Sequence, residues 1–154
     1  MLERDMLERL IEVIEKNARE MTEDLKQRLL RDPRTSSYQV LEERALYRNL
    51  FELYGHLGNW LLADSEKGEV PTYYSNLGER WFAEGFALHE VVQALVTTKR
   101  HIWDAITKKG IMETAQELDA AIDLITLLHR FFDMAVYYTT VGYYKPLGMK
   151  IMKI

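Results

Sequence analysis

The clearest helical pattern in the chain spans residues 88–110, which read Leu-His-Glu-Val-Val-Gln-Ala-Leu-Val-Thr-Thr-Lys-Arg-His-Ile-Trp-Asp-Ala-Ile-Thr-Lys-Lys-Gly. Apolar side chains recur there every three or four residues, as they do along one face of an α-helix. They are Leu88, Val91, Val92, Leu95, Ile102, Trp103 and Ile106. Two lysines at the end complement the helix dipole, and Gly110 suits the position that terminates a helix. The stretch therefore predicts an amphipathic helix that ends at Gly110.

Two long helices are predicted in the first part of the chain. The first has roughly 28 residues and stops at Pro33, because proline cannot continue a helix. A break within it near Asn17 or Thr22 is an alternative. The second runs from about residue 38 to residue 63 and is introduced by Ser36 and Gln39, which have the spacing of a capping box. Its expected buried stripe consists of Val40, Tyr47, Leu50, Phe51, Tyr54, Leu57 and Leu61.

A short helix and a very long one complete the pattern. Thr72 is expected to cap the short helix, which closes at Gly85 in a left-handed conformation. The last helix runs from about Met112 to Tyr144 and ends before Pro146. Its expected buried face consists of Leu118, Ile122, Ile125, His129, Phe132 and Val136. The sequence thus predicts an all-α bundle of about five main helices, in the order long, long, short, long, long.

Length and composition indicate one helical domain over residues 1–144. A chain of 154 residues can bury a substantial core without disulfides or a structural metal. Only 8 Gly and 3 Pro occur, which favours a few long helices over many short strands. Residues 145–154 contain three lysines and no acid, and we interpret them as a basic tail or a linker stub.

The composition also excludes several classes of protein. No Cys is present, which removes Cys-ligated zinc, iron–sulfur clusters and Cys nucleophiles and favours an intracellular setting. The net charge is −4 and no extended basic face is found, so nucleic-acid binding is not expected. Neither a signal peptide nor a membrane-spanning apolar run occurs. We therefore expect a cytoplasmic protein.

Catalytic and metal-binding motifs are missing from the sequence. The four histidines are His56, His89, His101 and His129, and none belongs to a His-x-x-x-His or Glu-x-x-His motif. The glycine-containing motifs of hydrolases, phosphate-binding loops and dinucleotide-binding folds do not occur either. Gly55 and Gly58 lie in a predicted helix, where they favour close helix packing. An enzyme is therefore not expected, and no catalytic, metal-binding or cofactor-binding residue is assigned.

The last helix is apolar on more than one side. Its adjacent tyrosine pairs splay over about 100° of the helix, so one member of each pair points away from the core. We infer a homodimer through this helix, with Phe131, Tyr138, Val141 and Tyr144 as the candidate dimer surface. The alternative is that the last helix is central and surrounded by its own neighbours.

Three segments resemble a known family of signalling domains. Residues 76–103 contain a helix ending in Gly85-Phe86, a Leu-His-Glu-Val start and a Lys-Arg-His-Ile-Trp finish. Residues 130–144 and 25–32 resemble the closing and opening helices of the same domain. The chain is similar over nearly its whole length to the amino-terminal sensory domain of stressosome co-antagonists of the RsbR type.

This resemblance implies a globin-like helical fold without haem, usually dimeric, joined to an output module such as a phosphorylatable STAS domain or a histidine kinase. A globin haem needs a proximal His on the short helix, and residues 72–84 contain none. No cofactor is therefore expected. The chain is either a stand-alone sensor that acts on a separate partner or the sensory part of a longer protein.

The leading hypothesis is a non-enzymatic sensory domain that relays a small-ligand or protein signal through its last helix to a signalling partner. The candidate ligand pocket consists of His56, Trp60, Trp103 and His129. His129 interrupts an apolar stripe, so burial would require a hydrogen-bond partner or a shift to the neutral form. One alternative is a haem or tetrapyrrole protein that uses His129 or His101 as ligand, and another is a purely structural dimerisation module.

Overall fold

Six α-helices and one 3-10 segment make up the described part of the chain. The computed structural model describes residues 2–41, 43–62, 69–108 and 114–148. The elements are α1 (Leu2–Lys16), α2 (Ala18–Arg31), the 3-10 segment (Pro33–Val40), α3 (Glu43–Leu62), α4 (Val70–Ala83), α5 (Leu88–Lys108) and α6 (Ala115–Tyr144). No strand occurs within these ranges. The all-α prediction is therefore confirmed, although six helices replace the five that were expected.

The first long helix is broken at Asn17, one of the two positions predicted for a break. Its backbone leaves helical geometry at φ −100° and ψ 16°. Its side-chain amide donates a hydrogen bond to the Val13 carbonyl at 2.7 Å, which satisfies an acceptor at the end of α1. Two shorter helices, α1 and α2, therefore replace the single helix of roughly 28 residues.

The predicted start of the second helix is wrong, because α3 begins at Glu43. Ser36 and Gln39 do not form a capping box. The Ser36 hydroxyl donates to Glu90 of α5 at 2.9 Å, and the Gln39 amide donates to the Leu30 carbonyl at 2.8 Å. Because both side chains are used in tertiary contacts, this stretch forms the 3-10 segment. Thr72 is likewise no cap, since α4 begins at Val70.

The end of α4 and the start of α5 agree with the sequence. Gly85 has a φ of 84° and follows α4, as predicted from its left-handed preference. The helix α5 begins at Leu88 and extends to Lys108. The predicted termination at Gly110 and the predicted helix start at Met112 lie outside the described residues.

The buried faces of α3 and α6 differ in part from the predicted stripes. On α3, Tyr54, Leu57 and Leu61 are buried as expected, whereas Phe51 is exposed. On α6, Leu118 and Ile122 are 50% and 53% exposed. The core side of α6 consists of Ala120, Ala121, Leu124, Leu128, Phe131, Phe132, Ala135, Thr139, Gly142 and Tyr143. Half of these ten residues are Ala, Gly or Thr. A prediction based on large apolar side chains does not detect such small residues.

The helices α4 and α6 are in backbone contact at Gly78 and Gly142. A Cβ on Gly78 would collide with the carbonyl oxygen of Thr139. A Cβ on Gly142 would collide with the carbonyl oxygen of Ser75 and would lie 3.0 Å from the Cα of Gly78. Because the two backbones touch, neither position has room for a side chain. We call this pair the glycine contact.

The helix α6 is central in the domain. It packs against α1, α3, α4 and α5, and its most extensive interface is with α4. Gly58 of α3 also permits a close approach, because a Cβ there would collide with Glu15 and lie 2.8 Å from Ile11 of α1. Gly55 has no such neighbour, so close packing was predicted correctly for one of these two glycines.

Substitution of Gly142 by alanine tests the glycine contact. We expect Gly142→Ala to lower the free energy of unfolding by about 1–3 kcal/mol, because the added methyl group must part the two helices. Gly55→Ala is the matched control. It adds the same methyl group to an open helical site and should raise stability by roughly 0.5–1 kcal/mol. Urea unfolding followed by circular dichroism measures both, and equal effects at the two sites would contradict this account.

Candidate functional site

A chain of three hydrogen-bonded side chains leads from the core to the surface. The Tyr54 hydroxyl on α3 lies 2.7 Å from Nδ1 of His101 on α5. Nε2 of His101 lies 2.7 Å from Oδ2 of Asp24 on α2. Tyr54 is fully buried and His101 is 3% exposed, whereas Asp24 is exposed. The Tyr54–His101–Asp24 chain thus connects three helices and ends at solvent.

The surroundings of His101 favour its neutral form. Burial lowers the pKa of His101 and outweighs the hydrogen bond with Asp24, which acts in the opposite direction. Burial raises the pKa of Tyr54, which therefore keeps its proton and donates it to Nδ1. Nε2 then carries the imidazole proton and donates to Asp24. Both ring nitrogens of His101 are therefore engaged.

An ion-pair network surrounds the solvent end of this chain. Arg28 lies between two carboxylates, with Nε 3.4 Å from Asp24 and Nη1 3.4 Å from Asp104 of α5. The network borders an open cleft of 660 Å³ between α2 and α5. The cleft is lined by Glu20, Met21, Glu23, Asp24, Gln27, Arg28, His101, Asp104, Ala105 and Lys108. Its charges are mixed, and its carboxylates outnumber its cationic groups.

A second, smaller cavity lies between α3, α4 and α5. It has a volume of 60 Å³. It is lined by Leu29, Tyr38, Leu46, Asn49, Leu50, Leu53, Tyr73, Tyr74, Leu77, Trp81, Val91, Ala94, Leu95 and Thr98. We call it the apolar cavity, since most of these side chains are hydrocarbon or aromatic.

These sites offer little for catalysis. Tyr54 is fully buried, so a substrate in the cleft cannot reach its oxygen. No group of three His, Asp or Glu residues in the described ranges is arranged to hold a metal ion. The arrangement suits a structural link between helices or a binding site better than a reaction centre.

The family model for the RsbT co-antagonist protein RsbRD N-terminal domain matches residues 4–145. The chain belongs to this family. No curated protein and no solved structure matches it. Membership agrees with the resemblance seen in the sequence and makes the chain a signal-transduction domain of the stressosome type. No helix in the described part of this RsbRD N-terminal domain is long and apolar enough to cross a membrane.

The RsbRD N-terminal domain brings two of the four candidate pocket residues together. His56 stacks on Trp60 with ring centroids 5.4 Å apart, and Phe131 stacks on Trp60 at 5.7 Å. Trp103 is half-buried and His129 is exposed. None of the four lines the open cleft or the apolar cavity. Their grouping into a pocket stays a prediction.

Two expectations about α6 of this RsbRD N-terminal domain need correction. His129 does not lie in a buried stripe, because Leu128 occupies the inward position next to it. Its Nδ1 lies 3.3 Å from the Lys99 amine near the surface. Phe131, named for the dimer surface, is 1% exposed and packs in the core against Trp60. Of the other three, Tyr144 is exposed, and Tyr138 and Val141 are half-buried.

The sequence did not reveal the partners of His101. Asp24 and Tyr54 lie 77 and 47 residues away from it. Spacing along one helix cannot reveal such a contact, because the three side chains come from three helices. The available signal was the tyrosine inside an apolar stripe, since a buried Tyr hydroxyl usually has a hydrogen-bond partner. Because both nitrogens of His101 are engaged, it is a poor candidate for a haem ligand.

The lowered pKa of His101 predicts a pH dependence of stability. In the unfolded chain His101 takes up a proton near its ordinary pKa of 6.5, whereas the folded domain takes it up only at lower pH. The contribution of the neutral imidazole to stability should therefore be fully present above pH 6.5 and be lost as the pH falls below that value. The slope should approach at most about 1.4 kcal/mol per pH unit for one proton.

Urea unfolding at several pH values measures this slope. His101→Gln should abolish it between pH 7 and pH 5, because glutamine does not titrate. His129→Gln, at an exposed histidine, is the matched control and should keep the slope. If the His101→Gln protein retained the full slope, the assignment of the neutral form to His101 would be wrong.

Proposed function

We propose that this RsbRD N-terminal domain is a non-enzymatic sensor that passes a change in its core to a signalling partner through α6. One observation carries the proposal: α6 is locked to α4 on one side and carries exposed apolar side chains on the other. The locked side includes the glycine contact. The exposed side includes Leu118, Ile122 and Tyr137. A single helix therefore connects the core with a surface that a partner can cover.

The helix α4 supplies the core end of this relay. Tyr74, Leu77 and Trp81 lie on the side of α4 that lines the apolar cavity. Gly78, one turn from Tyr74 along α4, lies against the backbone of α6. Because no side chain lies between the two backbones to absorb a displacement, a shift of α4 caused at the cavity is transmitted to α6. A ligand or protein that binds one packing better would shift the population of the two packings.

A second copy of the chain is the occupant that we propose for the exposed side of α6. The exposed Leu118 and Ile122 near the start of α6 and the exposed Tyr137 near its end form an apolar strip that is interrupted by exposed polar side chains, those of Thr126, His129, Arg130 and Asp133. Exposed apolar side chains along one helix are of the kind that marks an association surface. Two copies related by a twofold axis would each cover the strip of the other. Tyr144 extends the strip toward the end of the helix. We further propose that the dimer acts in the cytoplasm, where it associates with a STAS or kinase-type output partner.

Light scattering tests the dimer. We expect a mass of twice the 18.2 kDa chain mass at micromolar concentration. Ile122→Lys should produce monomers, because it places a charge in the apolar strip. Val40→Lys is the matched control: it also replaces an exposed apolar residue by lysine, but on the 3-10 segment, and should leave the dimer intact. A wild-type mass near 18.2 kDa would refute the dimer.

Distance measurements between spin labels test the relay. The chain has no Cys, so Arg130→Cys, at an exposed position on α6, introduces a single labelling site in each copy. We expect Leu77→Ala, on the cavity side of α4, to change the distance between the two labels of a dimer. Leu30→Ala, another half-buried leucine but on α2, should leave it unchanged. If neither substitution changes the distance between the two labels on α6, the domain is a purely structural dimerisation module.

A further inference from the structure

The apolar cavity is lined entirely by uncharged residues. Its lining includes six leucines and four aromatic side chains, and none of its described lining residues is Asp, Glu, Lys, Arg or His. Transfer of an unpaired charge into such surroundings costs far more free energy than transfer of a neutral group. A molecule that enters the cavity is therefore neutral.

Two buried tyrosines in the cavity wall have free hydrogen-bonding capacity. Tyr38 is 5% exposed and Tyr74 is 2% exposed. Neither hydroxyl has a hydrogen-bond partner among the described residues, whereas the neighbouring Thr98 hydroxyl donates to the Ala94 carbonyl at 2.7 Å. The two tyrosine oxygens are not among the fully enclosed polar atoms without a partner, which in the described residues are the hydroxyl oxygens of Thr22 and Thr139. Each tyrosine oxygen therefore borders free space, where a ligand or a water molecule can form a hydrogen bond with it.

The volume of the cavity limits the size of its occupant. An apolar cavity of 150 Å³ holds benzene, which has six non-hydrogen atoms. On that scale 60 Å³ accommodates roughly two or three such atoms, or four after a small movement of the wall. Leu50, Tyr73 and Leu77 are half-buried members of the wall, so this side of the cavity lies toward solvent.

We propose that the apolar cavity binds a small neutral molecule that has a short apolar body and one hydrogen-bonding group, such as a short-chain alcohol or carbonyl compound. The hydrogen-bonding group contacts the hydroxyl of Tyr38 or Tyr74, and the apolar body contacts the leucines. The claim that this ligand is the stimulus of the sensor rests on the proposed function, but the claim that it binds in the apolar cavity does not. Ordered water, which would also satisfy the two hydroxyls, is the competing occupant.

The probe for the test is 1-propanol, titrated into the protein while methyl groups of Leu, Val and Ala are followed by NMR. We expect saturable shifts at Leu46, Leu53 and Ala94 in the cavity wall. The exposed Val40 and Leu118 methyl groups report the general effect of the solvent and should shift linearly. Propylammonium, which has the same size but carries a charge, should give no saturable shift.

Variants separate the polar and the apolar part of the proposal. Tyr38→Phe with Tyr74→Phe should weaken 1-propanol binding about 3- to 10-fold, which is the value of one hydrogen bond. The same pair should leave xenon binding unchanged, because xenon senses only the apolar volume. Leu50→Phe, which fills the cavity from its half-buried side, should abolish the binding of both probes.

The outcomes also separate this inference from the proposed function. Linear shifts at every methyl group would overturn the ligand site and leave water as the occupant. Saturable binding with equal affinity in the double Tyr variant would overturn the role of the hydroxyls. If 1-propanol binds but leaves the α6 label distance unchanged, the site is supported and the relay fails. If Leu77→Ala moves the labels but 1-propanol does not bind, the relay stands and the ligand site is refuted.

Discussion

The packing of this domain depends on the contact between two helix backbones at Gly78 and Gly142. Where other helix pairs are spaced by side chains, α4 and α6 touch directly, and Thr139 beside them contributes a carbonyl oxygen to the contact. The Thr139 hydroxyl is fully buried and has no partner in the described part of the chain, a cost that the close packing offsets. Because α6 also contacts α1, α3 and α5, its position relative to α4 determines where these three helices lie.

Buried polar links then fix the helices that the glycine contact does not reach. The Tyr54–His101–Asp24 chain joins α3, α5 and α2. Glu90 of α5 accepts hydrogen bonds from the Ser36 and Ser37 hydroxyls and from the Ser37 backbone, and these bonds hold the 3-10 segment in place. The bonds from Ser37 also lower the pKa of Glu90, which keeps this carboxylate charged. Each link requires a specific partner on another element, so together they define one arrangement of the helices.

Elements that depend on neighbouring residues were predicted well from the sequence, whereas elements that depend on distant residues were predicted poorly. The start of α5 and the turn at Gly85 followed from apolar spacing and glycine conformation, which act within a few residues. The start of α3 was missed because Ser36 bonds to Glu90, 54 residues away. The buried face of α6 was misplaced because alanine, glycine and threonine make up half of it. The partners of His101 and the two tyrosines of the apolar cavity come from different helices, and only the folded chain brings them together.

The helix α4 takes part in both the glycine contact and the apolar cavity, which restricts how this sequence can diverge. A lineage that replaced Gly78 or Gly142 would have to move α4 away from α6. Since Tyr74, Leu77 and Trp81 of α4 line the apolar cavity, that movement would narrow the cavity or change its shape. The two glycines, 64 positions apart, are thus constrained together with these cavity residues of α4. Changes in what the cavity accepts should therefore arise through the wall residues of α3 and α5, which take no part in the glycine contact.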